Sequence, residues 1–425
     1  MKKLMVVIIV AIVFSVSFLW VGGQQGSASA KTTVTFWFPG GAGQEAYFQN
    51  AAERFEAKNL DIDIEISVLP PSAGDIDARL NTAKLSNTFP DVFSAYLVFM
   101  GTRGAQGDFA PLDDYIAKWD DKDDILESAL AMGLYQGKMI GLGFFPAPKL
   151  MPYRKDFFAA AGLDPERPPQ NWEELAEYAR KLVVRDKAGN VVRTGIDIPS
   201  QNPATVFIEP FMRQNGSLVI DEENLEPSWT DEGAIEALEY IVGLWQENLS
   251  IPHNLQQWLE HPFSRGNGSI GFVLASVLVK MFEEDPGFKE KVGYIPPMGP
   301  VRKVTFCGYR LFTIGIKSKV KNEAWRFMTF MMEKEEMWKR YEALRIPPVR
   351  SSMKDRFIKE DPEFNRAIVE TIKYGKGKAI TPWTGIANKY LSQAYEEALN
   401  GVKSPRQALM DADKALRAEL KRFGY

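Results

Sequence analysis

Apolar residues recur with strand character over Val34–Phe38, and they alternate strictly with polar ones over Ile62–Val68. Both stretches predict β-strands. Between them Gln44–Lys58 predicts a helix with Ala51 and Phe55 facing inward. Asp75–Ser86 reads as a second helix, opened by Asp75 as its cap, and Asp91–Tyr96 as a short strand. This β-α-β-α-β order implies a mostly parallel sheet covered by helices. From Phe157 to about Pro300 helices dominate: Asn171–Val184, Thr205–Gln214, Asp231–Gln246 and Ala275–Glu284. Asn171 is placed to cap the first of these, with Glu173 and Glu174 favourable to its dipole. Lys187-Ala-Gly-Asn190 predicts a hairpin turn, Val304–Ile316 a return to strand, and Asn322–Glu333 a further helix. No repeat, low-complexity tract or long linker interrupts the pattern. It fits several contiguous domains, and equally a chain that crosses between two lobes more than once.

The first 30 residues belong to another class. Lys2 and Lys3 precede the apolar run Leu4–Val21, and Ala28-Ser29-Ala30 follows as an A-x-A site. This predicts a signal peptide removed after Ala30. The run, about eighteen residues, also has the length of an uncleaved membrane anchor. No Cys follows it, which excludes a bacterial lipid anchor at this site. One cysteine remains, Cys307, so no internal disulfide forms. Export without disulfides points to a periplasm-like compartment. With 425 residues, 45% of them hydrophobic, the chain has core enough for two or three domains. Its formal charge of −4 gives no basic field for nucleic acid. Ten tryptophans supply flat faces of the kind that cover sugar rings.

Gly41-Ala42-Gly43-Gln44-Glu45-Ala46 matches the G-x-G-x-x-G/A pattern of dinucleotide loops, and Asp63 lies about twenty residues on. Against that reading, Pro39 and Gly40 separate the strand from the first glycine, and bulky Trp37 and Phe38 end the strand. What survives is the geometry, backbone N–H groups at a helix start, suited to hydroxyls or anions. Asn267-Gly268-Ser269-Ile270-Gly271 misses G-x-S-x-G, and both histidines, His253 and His261, precede Ser269. The Ser…Asp…His order of that fold is therefore unavailable. Two histidines eight apart make no zinc site, and they read as surface or loop residues beside Pro252 and Pro262. A glycosidase needs only two suitably spaced carboxylates, which leaves that class open. The acidic run Asp120–Asp124 reads more simply as a solvated loop, and eight evenly spaced β-α units are missing.

Several stretches, in order, resemble the extracellular solute-binding protein family 1 of ABC importers, which includes maltose- and other oligosaccharide-binding proteins. They are "TVTFWFPGGAGQEAYFQNAAERFEAKN", "NTFPDVFSAY" with "GDFAPLDDYI", "YQGKMIGLGF", "MPYRKDFFAAAGLDPERPPQNWEELAEYARKL", "RGNGSIGFVLAS", "VGYIPPMGP" and "EAWRFMTFMMEKEEM…IPPVRSS". The resemblance spans nearly all of Lys31–Tyr425. It implies an α/β, two-lobed periplasmic binding protein fold of type II, each lobe a mostly parallel sheet flanked by helices, with the ligand between them. Lobe one is expected over residues 31–145 and 306–355, lobe two over 146–305 and 356–425. Crossings are expected near Phe145-Pro146, Thr305-Phe306 and Met353–Asp355.

The same resemblance implies ligand-binding residues on a few loops. Trp37, Gln44 and Glu45 come from the first turn, Ser94 and Tyr96 from the end of the third strand, and Lys149 from beyond the first crossing. Ser276 follows "SIGFVL", Tyr309 and Arg310 follow the second crossing, and Trp383 and Thr384 lie near the end. Trp37 reads equally as core. Arg310 reads as a ligand contact or a lobe-to-lobe ion pair. Trp383, between Pro382 and Thr384, suits a stacking platform. Relatives often carry an aromatic where Ser276 stands, and Trp258 is the substitute on offer. The expectation is a monomeric, non-enzymatic periplasmic receptor that closes on a sugar and delivers it to an ABC permease in the inner membrane. It calls for no cofactor, no metal and no nucleic acid. An exported carbohydrate hydrolase is the alternative, and the same fold for glycerol phosphate or a polyamine a third.

Overall fold

The computed structural model describes residues 31–425 except 202–204 and 256, so the expected signal peptide lies outside the described residues. Strand β1 (Thr32–Pro39) buries Val34, Phe36 and Phe38 completely and leaves the alternate positions less covered. Helix α1 (Ala42–Lys58) returns over it with Tyr47, Phe48, Ala51, Ala52 and Phe55 inward. Phe48 meets the rings of Phe36 and Phe38 at 5.1 and 4.5 Å. Strand β2 (Ile62–Leu69) and β3 (Val92–Tyr96) flank β1, both parallel to it. Helix α2 (Ala73–Ser86) joins them. Ser72, not Asp75, is its cap: the Ser72 hydroxyl accepts from the Asp75 amide, which leaves Asp75 in the first turn, where its charge suits the dipole. Helix α3 (Val98–Ala105) follows.

The sheet stops being parallel where the chain leaves this unit. Strand β4 (Leu142–Arg154) is the longest, and it pairs with three later strands in turn: β5 (Val273–Leu274), β6 (Val292–Ile295) and β7 (Thr305–Ile314), all antiparallel. Strand β7 continues onto β3, again antiparallel, and pairs in parallel with the short β8 (Gly375–Lys376). The result is a mixed eight-stranded sheet, β5-β4-β7-β3-β1-β2 along its main path. Neighbouring strands joined through long excursions, as β4 and β7 are, have no handedness constraint holding them parallel.

Three prolines in β4 made this strand hard to read in the sequence. Pro146, Pro148 and Pro152 occupy alternate positions, so their missing N–H groups all face one edge. Ala147 and Lys149 face β7 instead, and along 146–148 the proline edge has no strand partner, since β5 begins opposite Lys149. Pro146 and Pro148 therefore cost no ladder hydrogen bond, while Pro152, beside Gly271, accepts from the Gly271 amide and cannot return the bond.

Helices α4 (Trp172–Leu182), α5 (Thr205–Gln214) and α6 (Glu232–Gln246) form the middle of the chain. Asn171 caps α4 by accepting from the Glu174 amide at 2.8 Å, and Asp231 caps α6 in the same way. The expected hairpin is present between Val184–Arg185 and Val191–Arg193, with Gly189 at φ 87° in its turn. After these come α7 (Ala275–Glu284), α8 (Lys321–Met331), α9 (Lys334–Leu344), α10 (Pro362–Tyr374), α11 (Thr384–Leu399) and α12 (Pro405–Phe423).

Buried hydrophobic residues fall into two clusters. The first gathers β1–β3, α1–α3, β7, α8 and α9, and the second gathers α4–α6, α11 and α12. Phe364, Ile368 and Ile372 of α10 join the first cluster together with Ala275, Val277, Leu278 and Phe282 of α7, so this cluster runs across both of the expected lobes. The clusters meet where α3 lies against the backbone before α11. Gly101 is required there, because a Cβ would overlap the Thr381 carbonyl.

Candidate ligand-binding site

Strands β4 and β7 run side by side from Phe145↔Arg310 through Pro146↔Tyr309 and Ala147↔Gly308 to Pro148↔Cys307. Above this floor opens a cleft of about 580 Å³. One wall carries Gln44 from the first turn of α1 and Tyr96 from the end of β3. The other carries Leu274, Ala275 and Ser276 where β5 turns into α7, with Lys280 and Glu283 further along that helix. Arg345, Ile346 and Pro347 close the space beyond α9, and Lys378 enters after β8. Leu274, the cap residue of α7, supplies no capping side chain. The first N–H groups of that helix are thus unsatisfied at the cleft wall. A second cavity, about 590 Å³, lies beside Ser128, Met132, Phe357 and Ile372. Its named walls belong to the first cluster's side alone, whereas the β4–β7 cleft also takes Phe306 from the second.

Arg310 dominates the floor. Its Nη1 donates to the Pro39 carbonyl at 2.7 Å and to Gln44 Oε1 at 3.1 Å. The guanidinium lies 5.0 Å from the Tyr96 ring and 4.7 Å from the Phe145 ring, between two aromatic faces. Burial pulls its pKa below the usual arginine range. Next to it the Tyr309 hydroxyl and Ser128 Oγ share a hydrogen bond of 2.9 Å, and burial raises the phenol well above its ordinary pKa. Tyr309→Phe should leave the ring packing intact and cost about 1 kcal/mol for the lost hydrogen bond, measurable by chemical unfolding. Lys378 donates to Glu209 Oε1 and Asn388 Oδ1, both at 2.8 Å, and Glu209 also pairs with Arg213 at 3.2 Å. Burial lowers the Lys378 pKa, while Glu209 raises it.

Of the residues expected from the sequence, Gln44, Tyr96, Ser276, Tyr309 and Arg310 come together around this cleft. Lys149 lies one residue beyond the floor on β4, 8% exposed, with Nζ 5.2 Å from the centre of the Phe272 ring. Burial lowers its pKa to about 8. The others sit elsewhere. Trp37 is half-buried on β1 with the Arg79 guanidinium 5.3 Å over its ring. Glu45 accepts from Gln49 on its own helix, and Ser94 is wholly buried in β3. Trp383 and Thr384 are 1% and 2% exposed, inside the second cluster's packing, and the Thr384 hydroxyl donates to the Ala379 carbonyl at 2.8 Å. In this conformation the Trp383 face is covered by protein and offers no platform. Trp258 opens the short turn Trp258–Glu260, and its side chain lies outside the described residues.

The cleft also contains residues that sequence reasoning passed over. Phe145 and Phe306 supply aromatic faces, and Arg345 and Lys378 supply charge. The sequence marked Phe145-Pro146 and Thr305-Phe306 only as expected crossings between lobes, not as ligand residues. Lys378 and its partner Glu209 lie 169 positions apart, with no local signal linking them.

Neither the cysteine nor the histidines line this space. Cys307 is buried, its thiol pushed up to about 12, which makes it inert. The histidines are not surface residues as expected: His253 is 6% and His261 3% exposed, their rings 5.1 Å apart. Desolvation, the neighbouring His253 and Lys149 hold His261 down at about 4, hence neutral at pH 7. Among the described residues no group of three or more His, Cys, Asp or Glu is placed to hold a metal ion, and no helix is long and apolar enough to cross a membrane.

Comparison with known proteins agrees with this geometry. Residues 41–338 match the sequence model of the bacterial extracellular solute-binding proteins. A binding protein of Brucella abortus is 26% identical over 298 residues, which cover 68% of this chain and 69% of that protein. The sn-glycerol-3-phosphate-binding periplasmic protein UgpB of Escherichia coli is 30% identical over 167 residues, 37% of each chain. Among solved structures, the cyclic alpha-maltosyl-1,6-maltose binding protein of Arthrobacter globiformis superposes with a TM-score of 0.81 at 22% identity. That match covers 92% of this chain and all of the other. A family match over most of the described chain, with a cleft floored by the strands that join its two hydrophobic clusters, leads to one conclusion: this protein is a member of the bacterial extracellular solute-binding protein family.

Proposed function

We propose that the chain is the exported substrate-binding component of an ABC importer, and that its ligand is a carbohydrate held between two lobes in the β4–β7 cleft. The observation that carries this reading is the cleft itself. Tyr96, Phe145 and Phe306 offer faces for the C–H surfaces of a sugar ring, and Arg310, Ser276 and the start of α7 offer hydrogen-bond donors for its oxygens. The Arthrobacter globiformis protein of the same fold binds a cyclic maltosyl-maltose, by its description.

Lobe one is taken over residues 31–145 and 306–355, and lobe two, with the α7 wall, over 146–305 and 356–425. Bending is proposed at the β4 and β7 crossings, near residues 145 and 305. A last bend is proposed near residue 354, and the packing of Phe364 of α10 on Phe282 of α7 and Tyr294 of β6 supports keeping α10 with them. A ligand that touches both walls stabilises the closed arrangement, and a membrane permease pair reads that state. The segment 1–30 would direct export.

A thermal-shift screen of mono- and oligosaccharides tests the ligand class. Binding to the native state alone raises Tm by mass action, so a cognate sugar at 100 times its Kd should add about 2.7 kcal/mol of stability. A response to polyamines or glycerol phosphate, with none to any carbohydrate at millimolar concentration, would sink the assignment.

A further inference from the structure

Buried cations in this protein are generally given carboxylates. Arg103 pairs with Asp77 and Asp108, Arg154 with Asp156, and Arg350 with Asp121 and Asp124. The cleft breaks that habit. Among the described residues no carboxylate lies within ion-pair distance of half-buried Arg310, whose contacts are a carbonyl, an amide oxygen, the Tyr96 hydroxyl and two rings. Lys149, one residue beyond the floor, has the Phe272 ring and no carboxylate, but it does not line the cleft. Fully buried Arg340 also lacks a salt bridge, but it lines none of the cavities described. An unpaired buried charge costs folding free energy, and the cost is recovered if a ligand of opposite charge docks there.

The rest of the lining leans the same way. Lys280, Arg345 and Lys378 join Arg310 against one carboxylate, Glu283, in a chain whose formal charge is −4. Lys378 is answered by Glu209 beneath it. Neutral sugar hydroxyls donate as well as accept, so a site for them needs acceptors. Here the Gln44 amide oxygen is already engaged by Arg310. The uncapped start of α7 adds further donors and the positive end of a dipole.

Building on the carbohydrate reading, we infer that the cleft takes an acidic carbohydrate, whose carboxylate or phosphate docks on the guanidinium edge of Arg310 that Pro39 and Gln44 leave free. Planar Arg suits either anion through paired N–H bonds, which Lys cannot reproduce. Calorimetric titration of the protein with four probe sets tests this: neutral disaccharides, neutral trisaccharides, galacturonate oligomers and hexose phosphates. One of the two acidic sets should bind at least tenfold more tightly than either neutral set, and which one does so identifies the anion. That preference should weaken between 20 and 500 mM salt, roughly as charge screening requires. Arg310→Gln should remove the preference and Arg310→Lys should keep part of it, with near-UV circular dichroism and melting temperature verifying that both variants fold. Neutral oligosaccharides that bind as tightly as the acidic ones would overturn the inference and leave the carbohydrate reading standing. So would equal weakening of neutral and acidic probes by Arg310→Gln. No binding by any of the four sets would count against the carbohydrate reading itself, and against this inference with it.

Discussion

Replacing Trp383 by Ala should lower the stability of the protein by about 3–5 kcal/mol, the usual cost of emptying a buried Trp site. The indole is 1% exposed and belongs to the second cluster with Ala387, Leu391 and Tyr395 of α11. It stands immediately before α11, whose start is fixed by the Thr384 hydroxyl on the Ala379 and Thr381 carbonyls. Loss of the ring therefore loosens the junction between α11 and the segment that α3 packs against. Urea unfolding followed by far-UV circular dichroism should show a clear fall in midpoint, with ligand affinity of the folded fraction little changed. Unchanged stability together with lost binding would instead make Trp383 a ligand residue.

Lys149→Met is expected to act in the opposite direction and stabilise the free protein. The lysine is 8% exposed, and its pKa falls from 10.5 to about 8 because burial disfavours the charged form. A shift of that size corresponds to a penalty on the order of 2–3 kcal/mol at pH 7. The unfolded chain holds the proton up to about pH 10.5 and the folded chain only to about 8, so wild-type stability gains with rising pH in that window. The advantage of Met should be full below about pH 8 and shrink towards pH 10.5. Unfolding curves of both proteins at pH 7 and pH 9.5 measure this directly. A variant less stable than wild type at pH 7 would show that the ammonium group has stabilising contacts.

Much of the fold was legible because its signals are local. The alternation at Ile62–Val68, the Asn171 cap and the helical pattern over Asp231–Gln246 each depend on a few neighbouring residues, and each element appears where the pattern put it. Strand β4 was obscured because proline argues against a central strand, and only the one-sided pairing at Pro146 and Pro148 removes the objection. The antiparallel placement of β7 depends on pairing between residues more than 150 positions apart, which no window of sequence contains.

The site was legible in part for the same reason. Tyr96 and Arg310 are paired across β3 and β7 on the face toward the cleft, so placing the strands places them, whereas Tyr309, next along β7, turns its hydroxyl to Ser128. Trp383 and Thr384 share the polar, proline-flanked context of a surface loop, but their burial is decided by the packing of α11 on α5 and α6. Arg345 and Lys378 reach the cleft from elements whose approach is purely tertiary.

The most direct test of the receptor mechanism is small-angle X-ray scattering of the protein with and without the carbohydrate that gives the largest thermal shift. Two lobes that close on a bridging ligand should give a smaller radius of gyration at saturation, with each lobe's own scattering profile preserved. A radius that stays the same at saturating ligand would contradict closure, because a rigid cleft presents a permease with no difference to read.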